Sequence, residues 1–166
     1  MKQYQFSKID LHILRELQRE GRITYSALGM AVGLSTTPCM ERVKKMERAG
    51  IIRGYSAQVD PTYLGSGLVV FIEISLERKS HELFRQFGER AASLDQVLEC
   101  FLVSGEFDYL IKARVANMEE YRNFLGETLL SLPGVRGSSS YVAMEEVKDT
   151  QVVSVKRTLS SLKEAE

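Results

Sequence analysis

Leu34-Ser35-Thr36-Thr37-Pro38-Cys39-Met40-Glu41-Arg42-Val43-Lys44-Lys45-Met46-Glu47-Arg48-Ala49-Gly50 is the stretch whose reading decides the fold. Thr37 is placed to cap a helix with its hydroxyl. Pro38 suits the first helical position, where a missing N–H costs nothing, and Gly50 suits a left-handed residue just past the end. At about 100° per residue, Cys39, Val43 and Met46 share one stripe. Thr37, Glu41, Lys44, Lys45 and Arg48 lie opposite, with Arg42 at the flank. An apolar stripe under a basic, hydroxyl-bearing face is what a helix needs to rest on a core and enter a major groove. An ordinary amphipathic surface helix has the same periodicity, so the residues on either side must decide.

Upstream, Thr24 is placed to cap a short helix whose buried side is Ala27, Leu28, Ala31 and Val32, and Gly33 makes a tight turn into Leu34. Further back, Ser7 and Asp10 form a capping box ahead of Ile9, Ile13, Leu14 and Leu17, and Gly21 stops that helix. Downstream, Ile51-Ile52-Arg53-Gly54-Tyr55-Ser56-Ala57-Gln58-Val59 reads as a short β-hairpin or wing. Three short helices with a glycine at the second-to-third turn predict a winged helix-turn-helix over residues 1–60, against a generic three-helix bundle. The DNA contacts expected from it are Ser35, Thr36 and Thr37 at the helix start, Arg42, Lys44, Lys45 and Arg48 along it, and Arg53 from the wing.

Charge supports that division. The 166 residues carry no net charge, yet residues 1–60 hold 10 Lys/Arg against 6 Asp/Glu and the remainder is acidic. A polyanion would therefore meet only the first part. Cys39 and Cys100 fall in separate domains with no ligand spacing, so buried thiols in a reducing compartment are expected rather than a zinc site or disulfide. No apolar run approaches the ~18 residues of a spanning helix, and no secretory leader is visible, so the expectation is a cytoplasmic protein with no membrane partner.

Asp60-Pro61 and Tyr63-Leu64-Gly65-Ser66-Gly67 mark a hinge over 61–67. Beyond it, 68–148 alternate as strand, helix, strand, strand, helix, strand. Leu68 to Leu76 is a strand with Leu68, Val70, Ile72, Ile74 and Leu76 on one face, while Val69 and Phe71 make the start of the other face apolar too. A strand apolar on both faces suggests cover from a partner subunit. Ser80 caps a helix with Leu83, Phe84, Phe87, Ala91 and Leu94 inward. Strands are predicted at Val97–Val103, Asp108–Val115 and Ser139–Val147. Asn117 and Glu120 open a helix carrying Tyr121, Phe124, Leu125, Leu129 and Leu132 to Pro133-Gly134. The order βαββαβ is the ferredoxin-like split unit, so the fold class is α+β. The tail over 149–166 is polar and expected to be frayed or lightly docked.

The turn Ser104-Gly105-Glu106-Phe107-Asp108-Tyr109 is the most polar stretch between strands that should be buried. Exposed N–H groups there could hold a carboxylate while Asp108 or Glu106 pairs an ammonium, the two ends of a free amino acid. The competing reading is a plain hairpin with Asp108 capping its own backbone. Met118 and the Ser139-Ser140-Tyr141-Val142 strand could add an apolar wall and hydroxyls, or be core. No nucleophile–base pair, phosphate-cradling loop or metal cluster is present in the sequence; His12 and His81 lack ligand spacing, and Glu145-Glu146 would face opposite sides of a strand. An enzyme is not expected, and neither is a metal or cofactor.

Lys8-Ile9-Asp10, Gly21-Arg22-Ile23, Val32-Gly33-Leu34-Ser35, Thr37-Pro38-Cys39 with Arg42-Val43, and Gly50-Ile51-Ile52 form one set of motifs. Leu102 through Leu110, Leu125 through Leu130, Leu132-Pro133-Gly134-Val135 and Val142 through Lys148 form a second. In this order they resemble the Lrp/AsnC (feast/famine) transcription regulators over nearly the whole chain, and look close to the leucine-responsive branch over 97–148. The resemblance implies an effector and oligomerisation (RAM) domain after the helix-turn-helix. It also implies dimers through that domain, assembling into octamers or larger rings that wrap double-stranded DNA of the nucleoid. It further implies an amino acid bound between dimers by Gly105, Glu106, Phe107, Asp108 and Tyr109, with Met118, Ser139, Ser140, Tyr141 and Val142 lining the cleft. Where the family pattern is Gly-Asp-Phe-Asp this chain has Gly105-Glu106-Phe107-Asp108, and Arg136 to Ser140 is smaller and more polar than in the leucine-responsive type, so leucine is not specified as effector. The alternative is an architectural DNA-wrapping protein with no effector response.

Overall fold

The computed structural model describes residues 4–155. It divides into two compact units: the chain up to Gln58 together with the stretch from Asp149, and Val59–Lys148. The rest of the predicted tail, 156–166, lies outside the described residues.

In the first unit α1 spans Lys8–Arg19, α2 Tyr25–Val32 and α3 Thr36–Arg48. The Ser7–Asp10 capping box opens α1 and the Thr24 hydroxyl accepts from the Ala27 N–H at 3.2 Å. Ile13, Leu28, Val32, Cys39, Val43 and Met46 are buried together, with Ile9, Leu14, Leu17, Leu34, Ile51 and Ile52 packed around them. Each fully buried apolar side chain contributes about 1.5–3 kcal/mol, which holds three helices too short to persist alone.

Three local expectations change. Helix α3 starts at Thr36, so Pro38 sits at its third residue and Thr37 is not the cap; Ser35 occupies that place without a side-chain cap bond. Proline is tolerated there because a first-turn N–H has no partner within the helix. In α2 it is Gly29, not Ala31, that turns inward: a Cβ on Gly29 would stand 2.7 Å from the Leu34 carbonyl oxygen. The turn into α3 passes so close that only a residue without a side chain fits. Ile51 to Val59, expected as a short β-hairpin or wing, forms no strand ladder among the described residues; Tyr55 is tied to α3, its hydroxyl donating to Glu47 Oε1 at 2.9 Å. The tail up to residue 155 docks on α1, one of the two states expected for it. The Gln18 amide reads both backbone groups of Val153, donating to its carbonyl at 3.1 Å and accepting its N–H at 2.7 Å.

The second unit is the expected α+β arrangement. Strands β1 (Leu68–Leu76), β2 (Val97–Leu102), β3 (Tyr109–Val115) and β4 (Val135–Val142) form one sheet in the order β2-β3-β1-β4, and every neighbouring pair is antiparallel. Helices α4 (His81–Ala92) and α5 (Met118–Asn123) cover one face. There Val70, Ile72, Ile74, Leu76, Phe87, Ile111, Ala113, Val115, Phe124 and Leu129 make the core.

Strand β4 begins four residues before the predicted Ser139 and ends five before Val147. Its Ser138–Ser140 run pairs with β1 through backbone groups that need no apolar side chain, while Met144 and Val147, within the predicted strand, are exposed. The predicted Glu145-Glu146 strand position therefore disappears. The helix after Asn117 is not uniform either: Phe124–Leu129 widens into a π-helical turn, with the Leu130 N–H donating to the Leu125 carbonyl at 2.9 Å. The wider turn brings Phe124 and Leu129, five residues apart, into the same core.

Candidate nucleic-acid interface and effector region

On α3, Ser35, Thr36, Thr37, Lys44, Lys45 and Arg48 are exposed, as is Arg53 beyond it. No ion pair among the described residues holds Lys44, Lys45, Arg48 or Arg53. Lys45 Nζ lies 5.4 Å over the Tyr4 ring, which orders its stem while leaving the ammonium able to turn outward. Arg48 Nε donates to the Lys44 carbonyl at 3.3 Å. Hydroxyls and uncapped first-turn N–H groups thus stand at one end of α3 and three cations follow along it. That combination suits phosphate and base-edge contacts.

Arg42 is the exception. Its Nη1 donates to Asp10 Oδ1 at 2.8 Å and to the Ser7 hydroxyl at 3.2 Å. Nη1 is thereby engaged while the Arg42 side chain stays 38% exposed; Asp10 itself is only 3% exposed, and a buried carboxylate demands a partner. Burial pushes the Asp10 carboxyl up, but the Ser7 hydrogen bonds and Arg42 outweigh it and hold the group below its ordinary value. Asp10 as a brace was missed, although a signal existed: Asp10, Ile13, Leu14 and Leu17 fall at i, i+3, i+4 and i+7, so the carboxylate interrupts an apolar stripe.

In the second unit the turn divides into exposed and committed residues. Gly105, at φ 147°, is exposed together with Glu106, and Phe107 is half-buried. Asp108 is 5% exposed: its Oδ2 accepts the Leu76 N–H at 2.8 Å, its N–H donates to the Ile74 carbonyl at 2.8 Å, and Lys79 Nζ lies 3.5 Å from Oδ1. It fastens the end of β1 at the point where the register with β4 shifts. Tyr109 is core: its hydroxyl donates to the Phe84 carbonyl at 2.7 Å and its ring packs 4.6 Å from that of Phe87. Within one chain both side chains are buried and hydrogen-bonded to neighbouring backbone. Asp108 caps the neighbouring strand rather than its own turn.

The remaining candidates do not share one wall. Ser139 and Tyr141 pair with Glu73 and Phe71 and lie on the open sheet face, whereas Ser140 and Val142 pair with Ile72 and Val70 on the helix-covered face. Ser140 accepts a hydrogen bond from the hydroxyl of Tyr121, a residue expected only as core. Met118, exposed, stands one turn before Tyr121. The whole of β3 separates Met118 from the Gly105 turn, a distance of roughly 20 Å for seven residues. On the open face Phe71, Phe101 and Tyr141 are exposed around Lys112, and the Tyr141 hydroxyl is pushed up in pKa by the neighbouring Glu73.

Residues 6–53 match the family model described as winged helix-turn-helix DNA-binding, and residues 69–153 that of the Lrp/AsnC ligand binding domain. The leucine-responsive regulatory protein of Escherichia coli K12 is 51% identical over 149 residues, covering 90% of this chain and 91% of its own. Among solved structures, a transcriptional regulator of Neisseria meningitidis in complex with L-methionine is 37% identical with a TM-score of 0.85, covering 90% of this chain and 97% of the other. An AsnC family regulator from Agrobacterium tumefaciens is 33% identical, with a TM-score of 0.86 and the same coverage.

Proposed function

The chain belongs to the Lrp/AsnC family of transcription regulators, and from that premise we propose that it senses a free amino acid and adjusts expression of amino-acid metabolism accordingly. It is a DNA-binding regulator with a ligand-binding domain, not an enzyme. The observation that carries the amino-acid reading is the likeness, over 90% of the chain, to a regulator solved with L-methionine. The effector would sit between copies of the protein. The Gly105 turn and Met118 stand at opposite ends of β3, so a site that uses both draws on two copies.

Copies would associate first through the open sheet face around Phe71, Phe101 and Tyr141, then as dimers into octamers or larger rings. Ser35, Thr36, Thr37, Lys44, Lys45, Arg48 and Arg53 would meet double-stranded DNA in the cytoplasm, on the nucleoid. Among the described residues no helix is long and apolar enough to cross a membrane.

A thermal-shift screen of the twenty amino acids on wild type and Met118→Ala tests the effector reading. A ligand at about 100 times its dissociation constant should stabilise the protein by about 2.7 kcal/mol. A shift with a few amino acids, weakened in Met118→Ala, is expected. No shift with any of them overturns the sensor and leaves an architectural DNA-wrapping protein. Asp108→Ala is a poor probe, because it unfastens β1 whether or not a ligand is bound.

A further inference from the structure

We infer that Arg42 is not a DNA contact but a positioning residue, whose ion pair with Asp10 fixes the roll of α3 and so aims its exposed face. The inference rests on α3 being the helix that meets DNA. The buried residues of helix α3 form one apolar stripe, Cys39, Val43 and Met46. Apolar contact is non-directional, so such a stripe resists lifting better than rolling. A roll of about 20° moves a side-chain tip about 6 Å from the axis by about 2 Å, beyond the ~0.5 Å tolerance of a preorganised site. A charge-assisted hydrogen bond at the edge of the stripe supplies the missing direction.

Arg42 sits at that edge, next to Val43. Its partner is anchored independently: Asp10 Oδ2 accepts the Ser7 N–H at 2.9 Å and the Ser7 hydroxyl at 2.8 Å, so the capping box fixes the carboxylate and leaves Oδ1 for Arg42 at 2.8 Å. The capping box by itself has no use for Oδ1, and a DNA contact by itself has no use for a buried acid on α1. The pair joins the first turn of α1 to the middle of α3 across 32 residues of sequence.

The test uses the full-length protein and two duplexes of equal length, one selected by it from a random-sequence library and one shuffled. Asp10→Asn separates the alternatives by the direction of its effect. If Arg42 positions α3, Asp10→Asn and Arg42→Gln each weaken the selected duplex about tenfold and the shuffled one less, with the salt slope unchanged, and the double variant is no weaker than the weaker single. If Arg42 contacts a phosphate, Asp10→Asn frees a cation and leaves affinity equal or higher, while Arg42→Gln lowers the salt slope by about 1. That result overturns the inference, as does a fall in melting temperature with unchanged affinity of the folded protein. Should Asp10→Asn not fold, Asp10→Glu, which keeps the charge and displaces the carboxylate, is judged by the same criterion. Lys44→Ala and Arg48→Ala guard the premise: if neither alters affinity or salt slope, α3 is not the DNA helix and the failure lies there.

Discussion

At the scale of single residues, a charged side chain's role here follows from what it already holds. Asp108 has the residue type and turn position of an ammonium partner, yet both carboxylate oxygens are engaged, by the Leu76 N–H and by Lys79. Glu106, two residues earlier, is exposed and remains available. Asp10 behaves in the same way on α1, and its titration gives a measurable consequence. Its native pKa lies below the ordinary 3.8, so the stability it contributes is complete above that value and is lost as pH falls through the lower native one. The stability difference between wild type and Asp10→Asn should therefore be flat from about pH 5 to 7 and shrink below about pH 4. Urea denaturation at several pH values checks this; a difference that grows on acidification would contradict the Arg42 pair.

At the scale of elements, two glycines in helical segments should respond to alanine with opposite sign. The methyl group of an alanine at position 29 would stand 2.7 Å from the Leu34 carbonyl oxygen, with backbone rather than a flexible side chain in the way. Gly29→Ala should cost about 1–3 kcal/mol despite alanine's better helix propensity, because the α2–α3 turn must open. Gly126 lies in the π-helical turn, and a Cβ there would meet nothing within 4 Å. Gly126→Ala should be neutral or stabilise by up to about 1 kcal/mol. Thermal unfolding followed by circular dichroism compares the two; equal destabilisation would mean that helix propensity and close approach had been weighed wrongly.

At the scale of the whole molecule, the open sheet face leaves apolar side chains uncovered among the described residues. Val69 is 2% exposed within one chain, but Phe71 beside it, with Phe101 and Tyr141, is not covered. Phe71→Lys places a charge at the middle of that face, next to Lys112 in the register. If copies associate through this face as proposed, it should raise their dissociation constant by at least about tenfold while leaving the fold of the second unit intact. Light scattering after size exclusion reads the mass. A dimer of unchanged strength would move the first association contact to another surface.

The sequence by itself determined the helix-turn-helix, the βαββαβ order and the inward face of β1, because caps, turns and burial periodicity act within a turn of helix or along one strand. Ser7 finds Asp10 three residues away, Thr24 finds Ala27, and Val70, Ile72, Ile74 and Leu76 alternate on one strand. It also carried the motif order that identifies the family. Only the tertiary structure decided which polar groups are already engaged. Arg42 finds Asp10, and Leu76 finds Asp108, each across 32 residues, and Gln18 finds Val153 across 135. Such pairings depend on where separate elements come to rest, and an arginine bound for a phosphate has the same local sequence as one bound for a buried aspartate. The start of β4 was hidden for a related reason: Gly137 and Ser138 pair with β1 through backbone groups, which every residue other than proline carries.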